Sequence, residues 1–578
     1  MAGVPINKKG IALYYQVEES IRTMVESGKW PLGTKLPTED ELSNYFSVSR
    51  TTIRQAINRM VEAGILVRKQ GSGTYVTSLP YARKRLNAQP SDSVCKYIYT
   101  PILQNDTEYS YQNFLLANLA HVLMLYRQKL LSSGEAGKLL QLILSLRDKH
   151  PNVIDCNPLN EDLYLNFEQY LIAGLGIDVG GKIHTARSRN DLTPTVTRMS
   201  IRDSYFILCD RLLMLRKQLL ALAENNRGRI LPGYTHLQPS QPITLDHYFL
   251  GIAEALERDF NRLSAAYSSL NRSPLGSCAM AGTSFPIDRQ YTASLLGFDG
   301  IIVNSLDAVA SRDCLLELTA DFATMGSTIS RFVQDLYIWS TAEFNYVEFS
   351  DSVCCCSSIM PQKKNPLSIE HIKSKTAHLA SSYIDVFMCL KGTSYSHSRD
   401  LFECMTPFWD SVHETQAILD LLMDALQDIT FHYDRMEKMA NDNDVLLTDL
   451  ADTLVRTDSL PFRSAHNIVS SAMRLYKKHG NEKLSLKYLN ESCKNLYGHN
   501  TSLTEAELAS ILTAQTSIFS KRSEGSPSED SCARMLGAMK ERLTANNTAL
   551  QNLMASVSAA EQRLLDEAEA IIKETDNQ

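Results

Sequence analysis

Four polar segments stand out because their residue types could act together on a substrate that carries a carboxylate. Residues 180–191 read Gly-Gly-Lys-Ile-His-Thr-Ala-Arg-Ser-Arg-Asn-Asp, a run dense in hydrogen-bond donors suited to carboxylates. Residues 233–242 contain Thr235 and His236, and a histidine there can pair with a carboxylate. Residues 273–277, Ser-Pro-Leu-Gly-Ser, lead on to Asp288 and Arg289. Residues 357–366, Ser-Ser-Ile-Met-Pro-Gln-Lys-Lys-Asn-Pro, set the Ser357 hydroxyl beside Lys363, Lys364 and Asn365, with Glu370 shortly after. Such groups suit abstraction of a proton next to a carboxylate, because the charge that then develops on the carboxylate oxygens needs fixed cations and amides. A lone histidine reads as structural and two adjacent lysines as solvated. Only the joint occurrence carries the chemistry.

The elements that must hold these segments are helical. Leu315, Leu318, Phe322, Met325, Ile329, Phe332 and Leu336 alternate steps of three and four over more than five turns. That makes one narrow apolar stripe suited to a long bundle. With 578 residues the chain is too long for one core. Its 44% apolar and 21% charged residues describe a globular protein rather than a disordered or fibrous one. There is no uninterrupted apolar run of membrane-spanning length and no signal-peptide pattern, which places the chain in the cytoplasm, away from membranes. Twelve cysteines without paired CxxC spacing argue against a zinc site or a disulfide framework, so no metal is expected, including at the run 354–356.

Charge divides the chain. Residues 1–85 hold thirteen Lys plus Arg against seven Asp plus Glu, a surplus of +6, and the remainder holds 45 against 58, or −13. A basic head on an acidic body points to a head that meets a polyanion. Its sequence predicts an amphipathic helix over 11–27, ended by Gly28, Pro31 and Gly33. A short helix follows, with Thr38 as N-cap and Glu41 completing a capping box. A third helix starts at Ser49 or Arg50 and turns Ile53, Ile57 and Met60 inward. That leaves Arg50, Thr51, Thr52, Arg54 and Gln55 at an exposed amino end able to enter a major groove. Residues 65–76 read as two short strands around a glycine turn, a wing.

The head, over residues 10–78, resembles the winged helix-turn-helix of the GntR family of bacterial transcription regulators. That resemblance implies double-stranded DNA as partner, with Arg50, Thr51, Thr52 and Arg54 on the DNA and Gly73 close to its backbone. One departure is Asp40, which stands where the family often has arginine. The four polar segments, with residues 447–452 and 461–466, resemble the fumarase and aspartase superfamily and most closely the argininosuccinate lyases. The resemblance runs from about residue 100 to 475 and implies a helical homotetramer whose active sites each draw on three subunits. It also implies that Ser357 is the base at the carbon beside the carboxylate and that Lys363 and Asn365 stabilise the carbanion. His236 and Glu370 form the charged pair of the acid side, with Thr235 beside them. Ser188, Arg189 and Asn190 bind substrate carboxylates, and Arg289 falls on the same pattern. Elimination then expels an amine and leaves fumarate, without a cofactor.

The reading is therefore a mainly α chain: a winged helix-turn-helix (1–80), a linker (81–99) with the basic triplet 83–85, and an all-helical lyase body. The body is divided into an N-terminal helical domain (100–191), a central long-helix bundle (192–436) and a C-terminal helical domain (437–578). Departures gather where the substrate's amine end would lie. His397, Phe402 and Met405 replace a tyrosine, a glutamine and a lysine typical of argininosuccinate lyases, removing hydrogen bonds worth about 1–3 kcal/mol each. Tyr164 stands near a usual histidine, Ala186 replaces a glycine, and Cys356 occupies the glycine position before the base. These changes predict an N-substituted aspartate or fumarate-like ligand whose amine end is not arginine but less polar or smaller. The alternative is a GntR-type regulator that uses a catalytically inactive lyase fold as its effector sensor.

Overall fold

The computed structural model describes residues 12–26, 29–31, 33–62, 65–69, 71–76, 90–154, 156–480 and 483–576. The outer ends of the first predicted helix (Ile11, Ser27), its stop at Gly28, and the linker triplet Arg83, Lys84 and Arg85 lie outside the described residues.

In the head, helices α1 (Leu13–Glu26), α2 (Glu39–Phe46) and α3 (Arg50–Glu62) precede strands β1 (Leu66–Lys69) and β2 (Gly73–Val76). The predicted capping box is present: Thr38 accepts from the Glu41 amide, and Glu41 accepts from the Thr38 amide at 2.7 Å. Ser49 caps α3 through Thr52 N at 3.2 Å. Ile53, Ile57 and Met60 turn inward against Val17, Ile21, Leu42 and Phe46, so that α3 keeps its other face for solvent. The wing strands pair antiparallel from Leu66↔Val76 to Lys69↔Gly73. The segment before α2 joins them through Leu36 N→Thr74 O (2.8 Å) and Val76 N→Thr34 O (2.9 Å). Gly73 has φ +128, and a Cβ there would lie 2.7 Å from the Lys35 side chain.

The body begins earlier than the sequence predicts. Residues assigned to a linker up to 99 are already helical from Asp92, continuing through wider turns at Cys95–Tyr99 and Asp106–Ser110. Next come α4 (Tyr111–Arg127), α5 (Ser133–Leu144) and α6 (Leu163–Leu175). The bundle proper is α7 (Arg189–Asn225), a hairpin of β3 (Ile230–Thr235) and β4 (Gln238–Thr244), and α8 (Leu245–Leu270). It continues with α9 (Asp313–Trp339), a two-residue strand pair β5 (Cys355–Cys356) and β6 (Lys364–Asn365), α10 (Leu367–Leu390) and α11 (Met405–Gln427). All seven predicted stripe residues of α9 are buried. They pack with Leu212, Leu219, Phe249, Leu256, Leu379 and Leu419 in one core.

A second core is built on α4, α5 and α6. Residues 447–512 form a third around Leu454, Ile468 and Leu489. The last helix, α12 (Glu529–Asp576), departs from the predicted single domain over 437–578. Its Leu536, Met539 and Leu550 join the bundle core, and its Leu564 and Ala568 join the second core. Ion pairs Lys540–Glu224 and Arg147–Glu561 fasten it along its length. A 48-residue helix spans about 70 Å at 1.5 Å per residue, so one end cannot stay with the small domain that precedes it.

Candidate active site and DNA-facing helix

Ser357 lies between β5 and β6, in a loop closed on itself. Its amide donates to Lys363 O (3.2 Å), and Lys363 N returns to Met360 O (3.1 Å). The Ser357 Oγ accepts from the amides of Ile359 (3.3 Å) and Met360 (3.0 Å). Two amides aimed at one hydroxyl oxygen favour its anionic form, as a serine base requires. The structure distinguishes the two lysines: Lys364 lies 3.1 Å from Glu348 and 2.8 Å from Asp351. Those carboxylates raise the Lys364 pKa, Asp351 contributing most. Lys363 has no carboxylate within ion-pair distance among the described residues; both lysines line a cavity of about 410 Å³ with Asn345, Glu348, Met360 and Gln362. Asn365 Nδ2 lies 3.8 Å from Cys355 Sγ. Cys356 sits in the strand pair opposite Lys364 without a positive φ, so the glycine it replaces is not needed for backbone freedom there.

Thr235 and His236 sit at the tip of the β3–β4 hairpin, where Thr235 pairs with Gln238. His236 and Leu237 both adopt left-handed φ, +55 and +56. That two-residue turn is one that Asn-Gly would make without strain. A strained turn thus presents an exposed imidazole. Glu370, in the first turn of α10, accepts from Tyr337 Oη at 3.2 Å. Within one chain His236 and Glu370 make no ion pair.

The donor-rich segment lies at the other end of α7. Ser188 caps that helix, its Oγ accepting from Asn190 N (3.3 Å) and its amide donating to Asp191 (3.0 Å). Asn190 Nδ2 donates to Ala279 O (3.1 Å). Arg189 Nη1 reaches Glu161 and Asp162, at 2.8 Å each. Sequence reasoning did not single out Asp191, although it ties the arrangement together. Fully buried, it accepts from Ser188 N, and from Gly276 N (2.9 Å) and Cys278 N (2.7 Å) of the 273–278 segment. Burial pushes its carboxyl up to about 6, against the pull of those amides. Arg289, expected among the substrate binders, donates from its guanidinium to the carbonyls of Leu275 (2.9 Å), Ile302 (2.8 Å), Val303 (3.3 Å) and Pro274 (3.4 Å). With these donors directed to main-chain oxygens, Arg289 staples the loop.

His397, Phe402 and Met405 gather at this same end. The His397 and Phe402 rings meet edge to face at 5.5 Å, and the Arg399 guanidinium lies 5.0 Å from the Phe402 ring centre. Burial, then Arg312, Arg189 and Arg399, lower the His397 pKa and favour the neutral ring. Phe402, Met405 and Trp409 wall a cavity of about 90 Å³ with Asp106, Arg312 and Arg399. Burial raises the Asp106 carboxyl to about 7. Only the tertiary structure brings Asp106 and Arg312, remote in sequence, to this cavity.

The two halves of the expected site are far apart in one chain. Helix α7 has 37 residues and so is about 55 Å long, with Ser188 at its start and the His236 hairpin beyond its end. The Ser357 loop belongs to the hairpin end, where Tyr234 Oη meets Tyr346 Oη.

Comparison with known proteins follows the same division. The profile described as lyase matches residues 105–380, that of the argininosuccinate lyase C-terminal region matches 444–518, and that of bacterial regulatory proteins of the gntR family matches 13–76. Argininosuccinate lyase 1 of Shouchella clausii is 37% identical over 481 residues, 83% of this chain and 97% of that protein. The chain belongs to the argininosuccinate lyase family. Argininosuccinate lyase of Methanocaldococcus jannaschii is 35% identical over 80% of this chain and 94% of its own length. A crystal structure of EDDS lyase in complex with formate superposes with a TM-score of 0.76 at 26% identity, covering 85% of this chain and 97% of that one. The body of this family member is a carbon–nitrogen lyase, and its head, over residues 13–76, is a GntR domain. No described helix is long and apolar enough to cross a membrane.

On the head, Arg50 and Thr51 are exposed at the amino end of α3, and the Thr52 hydroxyl is engaged by Ser49 at 2.8 Å. Arg54 donates to Glu39 (2.7 and 3.0 Å), which also meets Arg68 of the wing.

Proposed function

We propose that this lyase eliminates an amine other than arginine from an N-substituted aspartate to give fumarate, and that its head binds duplex DNA through Arg50, Thr51, Thr52 and Arg54, with the wing at Gly73 against the backbone. The observation that carries the catalytic reading is the Ser357 Oγ held by two main-chain amides beside Lys363, which has no ion pair among the described residues. Ser357, as alkoxide, takes the proton from the carbon next to the substrate carboxylate. The electron pair left on that carbon is delocalised into the carboxylate, where Lys363 and Asn365 receive the charge. It then forms the carbon–carbon double bond as the carbon–nitrogen bond breaks, and the departing nitrogen takes a proton from the side of His236 and Glu370. Ser188, Arg189 and Asn190 hold the second carboxylate, while His397, Phe402 and Met405 face the amine.

A separation of about 55 Å along α7 means that one chain cannot supply all of these groups to one substrate. A homotetramer brings the hairpin end of one subunit to the Ser188 end of another. The exposed residues Ile384, Phe387 and Met388 on one side of α10 provide an apolar stripe for such packing. A solved structure of an EDDS lyase variant, similar to this chain at a TM-score of 0.76, has bound fumarate.

The test is fumarate absorbance with a panel of N-substituted aspartates, argininosuccinate among them, using Ser357→Ala as control. Release of fumarate from a member of the panel other than argininosuccinate, lost in Ser357→Ala, supports the proposal. Turnover of argininosuccinate at the usual rate of the family refutes the changed leaving group. Fumarate from no member of the panel, with ligand-dependent DNA binding retained, would identify the body as a sensor.

A further inference from the structure

The two arginines at the DNA-facing end of α3 are each held by a carboxylate of α2, but the two pairs differ. Glu39 receives two hydrogen bonds from Arg54, approaches Arg68 of β1 at 3.5 Å, and has a side chain only 24% exposed. The hydrogen bond from Arg54, more than any other cause, draws its carboxyl below the usual range. Glu39 therefore ties α2, α3 and the wing together. Asp40 pairs, among the described residues, with Arg50 only, Oδ1 lying 2.9 Å from Nε, and both side chains are mostly exposed, at 63% and 58%. That pair faces solvent where a duplex would lie.

We propose that Asp40 buttresses Arg50 as a reader of guanine, making it a determinant of DNA sequence choice. The inference rests on the head binding duplex DNA. An arginine in the first turn of a groove-entering helix has two kinds of target, phosphate oxygens and base edges. Asp40 approaches the guanidinium on its Nε side, and among the described residues no ion pair is made through the two Nη groups, which can present a planar fork. That fork matches O6 and N7 of guanine in the major groove. The carboxylate also repels neighbouring phosphates, so the head gains less from sequence-independent backbone contacts. In water an exposed pair of this kind contributes little. Between protein and base, where water is excluded, the same pair is stronger because the local dielectric falls.

The experiment is selection of binding sites by the full-length protein from a randomised duplex library, repeated with Asp40→Asn and Arg50→Ala. Fluorescence anisotropy over a salt series on a random duplex accompanies it. The expected result is a wild-type motif with a guanine position that both variants lose while the rest of the motif persists. Asp40→Asn should also bind random duplex several-fold more tightly, with a log–log salt slope steeper by about one unit. An Asp40→Asn variant that keeps the wild-type guanine preference overturns the proposal. A wild-type protein that enriches no sequence refutes DNA reading by the head altogether, and the role of Asp40 falls with it.

Discussion

The two ends of the long-helix bundle handle their polar groups in opposite ways. At the Ser188 end nearly every group is committed within the chain: Ser188 caps a helix, Arg189 meets two carboxylates, Arg289 staples carbonyls, and buried Asp191 gathers three amides. At the Ser357 end a loop between two-residue strands and a strained hairpin tip expose Lys363 and His236, neither in an ion pair among the described residues. One end is prewired, and the other leaves its polar side chains exposed. A residue that ties the first end together, such as Asp191, should therefore act mainly through stability, and one proposed to act at the second end mainly through turnover.

The largest break in that contrast is expected at Ser357. Ser357→Ala should lower kcat by about 10³-fold or more in a fumarate assay while leaving the melting temperature unchanged. Asp191→Ala should do the reverse, costing about 3 kcal/mol in urea unfolding, because the amides of Ser188, Gly276 and Cys278 lose a buried acceptor. A large loss of stability from Ser357→Ala, or none from Asp191→Ala, would break the comparison.

Next come the lysines. Lys363→Met should cost about 10²-fold in kcat, since it removes a charge that acts on the developing carbanion. Lys364→Met instead frees Glu348 and Asp351 and should act through the order of the loop, with a smaller kinetic effect. Equal losses from the two would erase the distinction between them.

The pH dependence carries a sign. Asp191 titrates at about 6 in the folded protein, above its unperturbed 3.8, so folding tightens its hold on the proton. Its stabilising contribution is fully present below about pH 4 and is lost as pH rises through about 6. Asp106, raised to about 7, extends the same slope upward. Asp191→Asn should flatten the lower part of a plot of unfolding free energy against pH.

The smallest effect is expected at Ala186, which has φ +58 in the prewired turn. Ala186→Gly should relieve backbone strain and raise stability by about 0.5–1 kcal/mol in thermal unfolding.

Much of the head was legible because its signals are local. The capping box at Thr38 and Glu41, the inward triad Ile53, Ile57 and Met60, and the glycine turn of the wing each involve neighbours in sequence. The stripe on α9 was legible for the same reason. The role of Arg289 was not, because the four carbonyls that occupy it come from a loop whose path the sequence pattern does not specify. Nor was the fate of α12, whose apolar residues fit either the small C-terminal domain or the bundle until packing chose the bundle.

Residue types and spacing alone determined that a basic winged head precedes a helical body with an elimination chemistry, since caps, periodicity and motif spacing are properties of adjacent residues. Tertiary structure alone decided which lysine stays unpaired, that Asp191 joins the Ser188 turn to a loop more than eighty residues away, and that the Ser188 turn and His236 lie at opposite ends of one helix. Those outcomes depend on distances between segments remote in sequence, and these are fixed only when the long helices pack.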